Sequence, residues 1–172
     1  MKAKLTFIII ILFFQSAFAQ NYFINRNELK TIDGFNIPLN KVLNDTVGTI
    51  VIFWEMNDAQ SNRNLDNLNE VWQEKIKPYG INLISICVDK TGTWYSVKPF
   101  IASKEWESEN YIDFNGKLIR TLSISNIPYT ILLDGNNEIK CRYSGYCIGN
   151  EEELCNKIIK CIEKDKTLAH FK

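Results

Sequence analysis

Five cysteines, Cys87, Cys141, Cys147, Cys155 and Cys161, are the residues best suited to covalent chemistry here, and no two of them form a Cys-x-x-Cys pair. A thiolate exchanges disulfides by attacking sulfur and being displaced by a second thiol, so spacing and a lowered pKa separate a reagent from packing. Cys87 lies between Ile86 and Val88 in an apolar run and reads as core. Cys161 follows Leu154 and Ile158 at helical spacing, an inward position, with Cys155 at the border of that face. Cys141 and Cys147 are different: across an extended segment their Cα atoms stand ~20 Å apart at about 3.3 Å per residue, beyond the ~7 Å limit for a bridge. A local bond needs a sharp bend near Gly145, and a link from Cys147 to Cys155 is geometrically easier. The odd count leaves at least one thiol free or paired between chains.

Other catalytic patterns are weaker. The single histidine, His170, sits near the C-terminus, which gives no Cys-His or Ser-His pair and no zinc-type cluster. Glu55 and Asp58 are three apart on a strand-to-helix loop, a setting that reads as solvated surface rather than an acid–base pair. There is no glycine-rich phosphate loop. No cofactor and no metal is expected.

The chain of 172 residues opens with Lys2 and Lys4, an apolar run from Phe7 to Phe14 and then Ala17-Phe18-Ala19, the order of a cleaved signal peptide. Cleavage is expected after Ala19, giving an exported protein, periplasmic or secreted, with no membrane span once the leader is gone. Of 20 basic residues the leader takes only Lys2 and Lys4, and it takes none of the 20 acids, so the remainder carries a formal charge of −2. That offers no footprint for nucleic acid or an anionic membrane. The expected organisation is a signal peptide over 1–19, an N-terminal extension over 20–47, one domain over 48–165 and a tail over 166–172.

Thr49 to Trp54 is a continuous β-branched and aromatic run, suited to a strand buried on both faces. Leu65, Leu68, Trp72 and Ile76 then recur at helical spacing, and Pro78 with Gly80 marks the stop. Ile81 to Val88 reads as a second buried strand, which completes a parallel βαβ unit. Trp94 to Lys104 reads as a short helix with Pro99 in its first turn, and Trp94, Tyr95 and Trp106 are expected in the core rather than as an exposed patch. Tyr111 to Asp113 is a brief extended segment, and Leu118, Ile119 and Leu122 give one face of a small helix. Tyr129 to Leu133, the turn Asp134-Gly135-Asn136-Asn137, and Glu138 to Tyr146 read as a hairpin. Asn150 as N-cap with Glu153 begins a last helix of about 14 residues. The whole is α/β, a central mixed sheet with helices on both faces and a C-terminal hairpin and helix.

This order, with Val51-Ile-Phe-Trp54, Leu65-x-x-Leu68-Asn-Glu-Val-Trp72, Ile127-Pro128-Tyr-Thr-Ile-Leu-Leu-Asp134-Gly135 and Tyr143-Ser-Gly-Tyr146, resembles the thioredoxin superfamily. Within it the chain is similar to the exported TlpA/ResA-like thiol-disulfide oxidoreductases, over roughly Asn36 to Lys164. Counting from Phe53-Trp54, the resemblance puts the family's two redox cysteines at Asp58 and Ser61, neither of which can exchange disulfides. Peroxiredoxin-type chemistry lacks its cysteine in the same loop.

The resemblance also implies that Pro128 is the family's cis-proline, beside whose backbone, at Ile127, an extended substrate peptide pairs. Two functions are then expected to compete. One is a protein- or peptide-binding accessory protein of the cell envelope, redox-inactive at the usual site, with Asp58 and Ser61 serving as helix caps. The other is a thiol-disulfide oxidoreductase using a displaced cysteine, Cys141, Cys147 or Cys155.

Overall fold

A computed structural model describes residues 26–43, 47–89 and 94–146 together with Glu153, Asn156, Ile159 and Lys160. The expected leader, Cys147, Cys155, Cys161, His170 and the expected start of the last helix at Asn150 lie outside the described residues, although the four separate positions named are helical. The β-branched and aromatic run becomes β3 (Gly48–Trp54), every residue of which is buried. It pairs in parallel with β4 (Ile81–Cys87), from Gly48 opposite Ile81 to Trp54 opposite Cys87, and antiparallel with β6 (Tyr129–Asp134). Outward from this centre stand β5 (Glu109–Ile112), β1 (Glu28–Thr31) and β2 (Asn36–Pro38) on one side and β7 (Ile139–Ser144) on the other, a seven-stranded mixed sheet.

Alternation along β3 divides the interior in two, because successive side chains of a strand point to opposite faces. Ile50, Ile52 and Trp54 meet Leu65, Leu68, Trp72 and Ile76 of the long helix α2 (Ala59–Val71) and its continuation, along with Val97 and Ile101 of α3 (Trp94–Ala102). Val51 and Phe53 meet the other layer, built by α1 (Leu39–Val42) and α4 (Lys117–Thr121). The helical spacing read from the sequence is therefore the spacing of one buried stripe.

The end of α2 is not a plain stop. A π turn over Trp72–Ile76 and a 3₁₀ turn over Lys77–Tyr79 widen and then tighten the chain, and Gly80 closes it at φ +78°, a conformation that glycine adopts without strain. The Trp72 indole N–H donates to the Ile81 carbonyl at 2.8 Å, so the helix end is tied to the first residue of β4.

Two expectations change. Pro99 is the sixth residue of α3, inside the helix and not in its first turn. Tyr95 is 67% exposed, whereas Trp106 is half-buried against the core as expected. A short helix at the sheet margin buries only the face carrying Val97 and Ile101, and Tyr95 lies off it. The N-terminal segment supplies a hairpin, β1 with β2, and β1 also pairs antiparallel with β5, which joins the hairpin to the sheet.

Gly48 marks a close approach of backbones: a Cβ there would lie 2.9 Å from the Leu133 carbonyl oxygen across the β3–β6 ladder. Because the obstacle is main chain, relief requires the central strands to part. Gly48→Ala is expected to destabilise the fold by about 1–3 kcal/mol, read as a lowered urea midpoint.

Candidate functional site

The chain leaves β3 at Trp54, crosses Glu55, Met56 and Asn57, and enters α2 at Asp58. Asp58 is the N-cap: its backbone is extended, and its carboxylate accepts from the Ser61 N–H at 2.8 Å and the Gln60 N–H at 3.4 Å. The fully buried Ser61 adds its hydroxyl, which donates to the same Asp58 oxygen at 2.6 Å. The two positions that the sequence picked out are thus joined by one O–H···O⁻ bond. The Ser61 hydroxyl foremost, with the backbone N–H groups of Ser61 and Gln60, holds the Asp58 carboxyl below its ordinary value and outweighs its partial burial.

The sign of the pH effect follows. A depressed folded-state pKa means that Asp58 stabilises the fold fully above the unfolded value near 3.8, and that this is lost as pH falls through the folded value. Asp58→Ala is expected to cost about 0.5–2 kcal/mol at neutral pH. In denaturant titrations at stepped pH, the gap between variant and parent should close on acidification.

The loop ahead of Asp58 is held from both sides. Met56 N–H donates to Asp89 Oδ2 at 2.7 Å, and the Met56 carbonyl accepts from Asn62 Nδ2 at 2.8 Å. The Cys87 thiol donates to the same Asp89 oxygen at 3.0 Å, and burial pushes that thiol well above its ordinary pKa. Cys87 is therefore a packed, protonated residue, as expected. Neither Asp89 nor Asn62 carried a sequence signal, because each acts on a backbone group brought near only by the fold. Asp89→Ala is expected to loosen this loop, seen as faster hydrogen exchange at Met56 with little change at β4.

The Ile127–Pro128 bond is cis, as the resemblance implied. Since Tyr129 pairs with Phe53, this bond stands beside the end of β3, next to the loop leading to Asp58. The Pro128 carbonyl accepts from the Gly145 N–H at 2.8 Å, while the N–H and C=O of Ile127 hydrogen-bond to no described residue. Under the loop lies an aromatic cluster: Trp54 stacks on Phe100 at 5.7 Å and meets Trp106 edge-on at 5.1 Å. Lys104 sits over both outer rings and pairs with Asp66, which also accepts from the Trp106 indole. The Trp54 indole N–H has no acceptor among the described residues.

Cys141 is a half-buried free thiol on β7, opposite Leu132 and packed on the core, so it is not at the mouth of α2. Cys147 and Cys155 lie outside the described residues. Among the described residues, no group of three or more His, Cys, Asp and Glu side chains could hold a metal ion, and no helix is long and apolar enough to cross a membrane. Glu55 is exposed, as expected of loop surface. The site as built presents a fixed carboxylate at a helix N-terminus, a capped hydroxyl and an open backbone edge. It accepts and donates hydrogen bonds, and neither Asp58 nor Ser61 brings a thiol to the start of α2.

A mixed sheet flanked by helices, with a strand, loop and long helix facing a cis-proline, defines a thioredoxin-like fold. No protein-family model and no curated protein matches the sequence. Among solved structures, an uncharacterised thioredoxin-like protein from Porphyromonas gingivalis is 31% identical with a TM-score of 0.69, covering 80% of this chain and 90% of that one. A putative thiol:disulfide interchange protein DsbE from Chlorobium tepidum (18% identity, TM-score 0.68, 79% and 92% coverage) and StoA from Bacillus subtilis (21%, 0.59, 76% and 93%) share the fold. The chain belongs to the thioredoxin-like proteins.

Proposed function

We propose that this chain is an exported thioredoxin-like binding or accessory protein of the cell envelope, redox-inactive at Asp58 and Ser61, which receives an extended peptide segment along Ile127–Pro128. The observation that carries the reading is the 2.6 Å hydrogen bond between Asp58 and Ser61. It fills the helix mouth with an anion and its donor where the family's chemistry needs two sulfurs. The unpartnered N–H and C=O of Ile127 among the described residues support the docking edge, since an added strand bonds through such groups.

Reduced, alkylated insulin B chain serves as an extended probe without thiols. Hydrogen exchange at Ile127 is expected to slow when the probe is added, and exchange at the far edge strand β2 to stay the same. Equal exchange at Ile127 with and without probe would remove the docking reading. Export is tested separately: mass spectrometry of the envelope fraction is expected to find a chain beginning at Gln20.

A further inference from the structure

A cleft away from Asp58 lies between the β1–β2 hairpin and the turn from β5 into α4. Its volume is about 220 Å³, and Glu28, Lys30, Asn36, Phe114, Asn115 and Lys117 line it. Pairing explains its position. Lys30 stands opposite Ile112, the last residue of β5, so the first half of β1 runs past the carboxyl end of a strand parallel to β4. In open α/β sheets, ligands bind in crevices outside the carboxyl ends of parallel strands.

The charges in the cleft are left over. Lys30 Nζ donates to the Gly34 carbonyl at 3.1 Å and Asn36 Oδ1 at 2.9 Å and lies over the Phe114 ring at 5.2 Å. Lys117 Nζ donates to the Arg26 carbonyl at 2.5 Å. Neither ammonium meets a carboxylate among the described residues, and Glu28 meets no cation there. Asp113 also borders the space, but both its oxygens are used, accepting the Leu118 N–H at 3.2 Å and the Ile119 N–H at 3.0 Å. A ligand therefore finds two cations with donor capacity to spare, an aromatic flank and, besides Asp113 whose oxygens hold backbone N–H groups, the carboxylate of Glu28.

We infer that this cleft binds a small zwitterion of amino-acid size, its carboxylate taken by Lys30 and Lys117 and its ammonium by Glu28. A simple anion would have Glu28 and Asp113 against it, and a simple cation the two lysines. A molecule carrying both charges leaves none of the free groups unmatched.

The test is a titration of the full-length chain with free L-amino acids, followed by backbone amide shifts. Concentrations reach about 10 mM, enough to populate a complex with a Kd near 1 mM. Shifts are expected at Glu28, Asn36 and Asn115. The methyl ester or the N-acetyl derivative of the best ligand should bind at least about tenfold more weakly, and so should the free ligand to Lys117→Gln or Glu28→Gln. Both side chains are exposed, so an otherwise unchanged spectrum checks the fold. Absence of any shift, or equal binding of the blocked derivatives, overturns the assignment. Acetate binding as tightly as any amino acid would leave Glu28 without a part and overturn it as well.

Discussion

The Asp58→Cys, Ser61→Cys double variant is expected to reduce insulin, with dithiothreitol as electron source, at least about tenfold faster than the parent chain. Asp58 already holds the N-cap and Ser61 the third helical position, and their side-chain oxygens meet at 2.6 Å. Residues three apart on a helix have Cβ atoms about 5–6 Å apart, close enough that the modest adjustment at a helix end brings two sulfurs into a bond. The N–H groups of Gln60 and Ser61 that now bind the carboxylate would bind a thiolate at position 58, and the helix dipole favours that charge. Either single variant should stay near the parental rate, because exchange needs both an attacking and a resolving thiol. A double variant that forms the disulfide yet reduces no insulin would show that more than the two sulfurs is missing.

The largest stability effect is expected at Trp54. It is fully buried, ends β3 and touches both Phe100 and Trp106. Trp54→Ala removes the centre of that cluster and should cost about 3–5 kcal/mol in urea unfolding. Trp54→Phe should cost far less, below about 2 kcal/mol, because it keeps an aromatic ring and deletes an indole N–H that finds no acceptor among the described residues. Similar losses in the two variants would mean that the N–H has a partner worth as much as the ring.

What the sequence made legible was set by local periodicity. Gly48 to Trp54 is buried at every residue because the strand is covered on both faces, and from Ile50 on it is apolar throughout, while Leu65, Leu68, Trp72 and Ile76 mark the stripe of α2. Asp58 was readable as a cap from its residue type and its place before the helix. The cis state at Pro128 was readable only through the family resemblance, since an isolated X-Pro bond favours trans. The rest depended on long-range contacts. Asp89 grips Met56 from 33 residues away, and nothing around either residue announces that bond. Pro99 reads as a first-turn residue from the usual preference of proline, yet α3 begins five residues earlier. Tyr95 reads as core from the sequence, yet which face of α3 is covered depends on the docking of the helix, and Tyr95 is left exposed. The cleft at Lys30 and Lys117 joins a hairpin and a turn more than eighty residues apart, a distance no motif spans.

The most direct test is the rate of dithiothreitol-dependent insulin reduction by the unaltered full-length chain, measured beside Cys141→Ser, Cys147→Ser and Cys155→Ser. With an aspartate and a serine at the mouth of α2, all four proteins are expected to run at the uncatalysed rate. Turnover in the unaltered chain that disappears when one of those cysteines is replaced would contradict the account, and would place a working thiol elsewhere on the same fold.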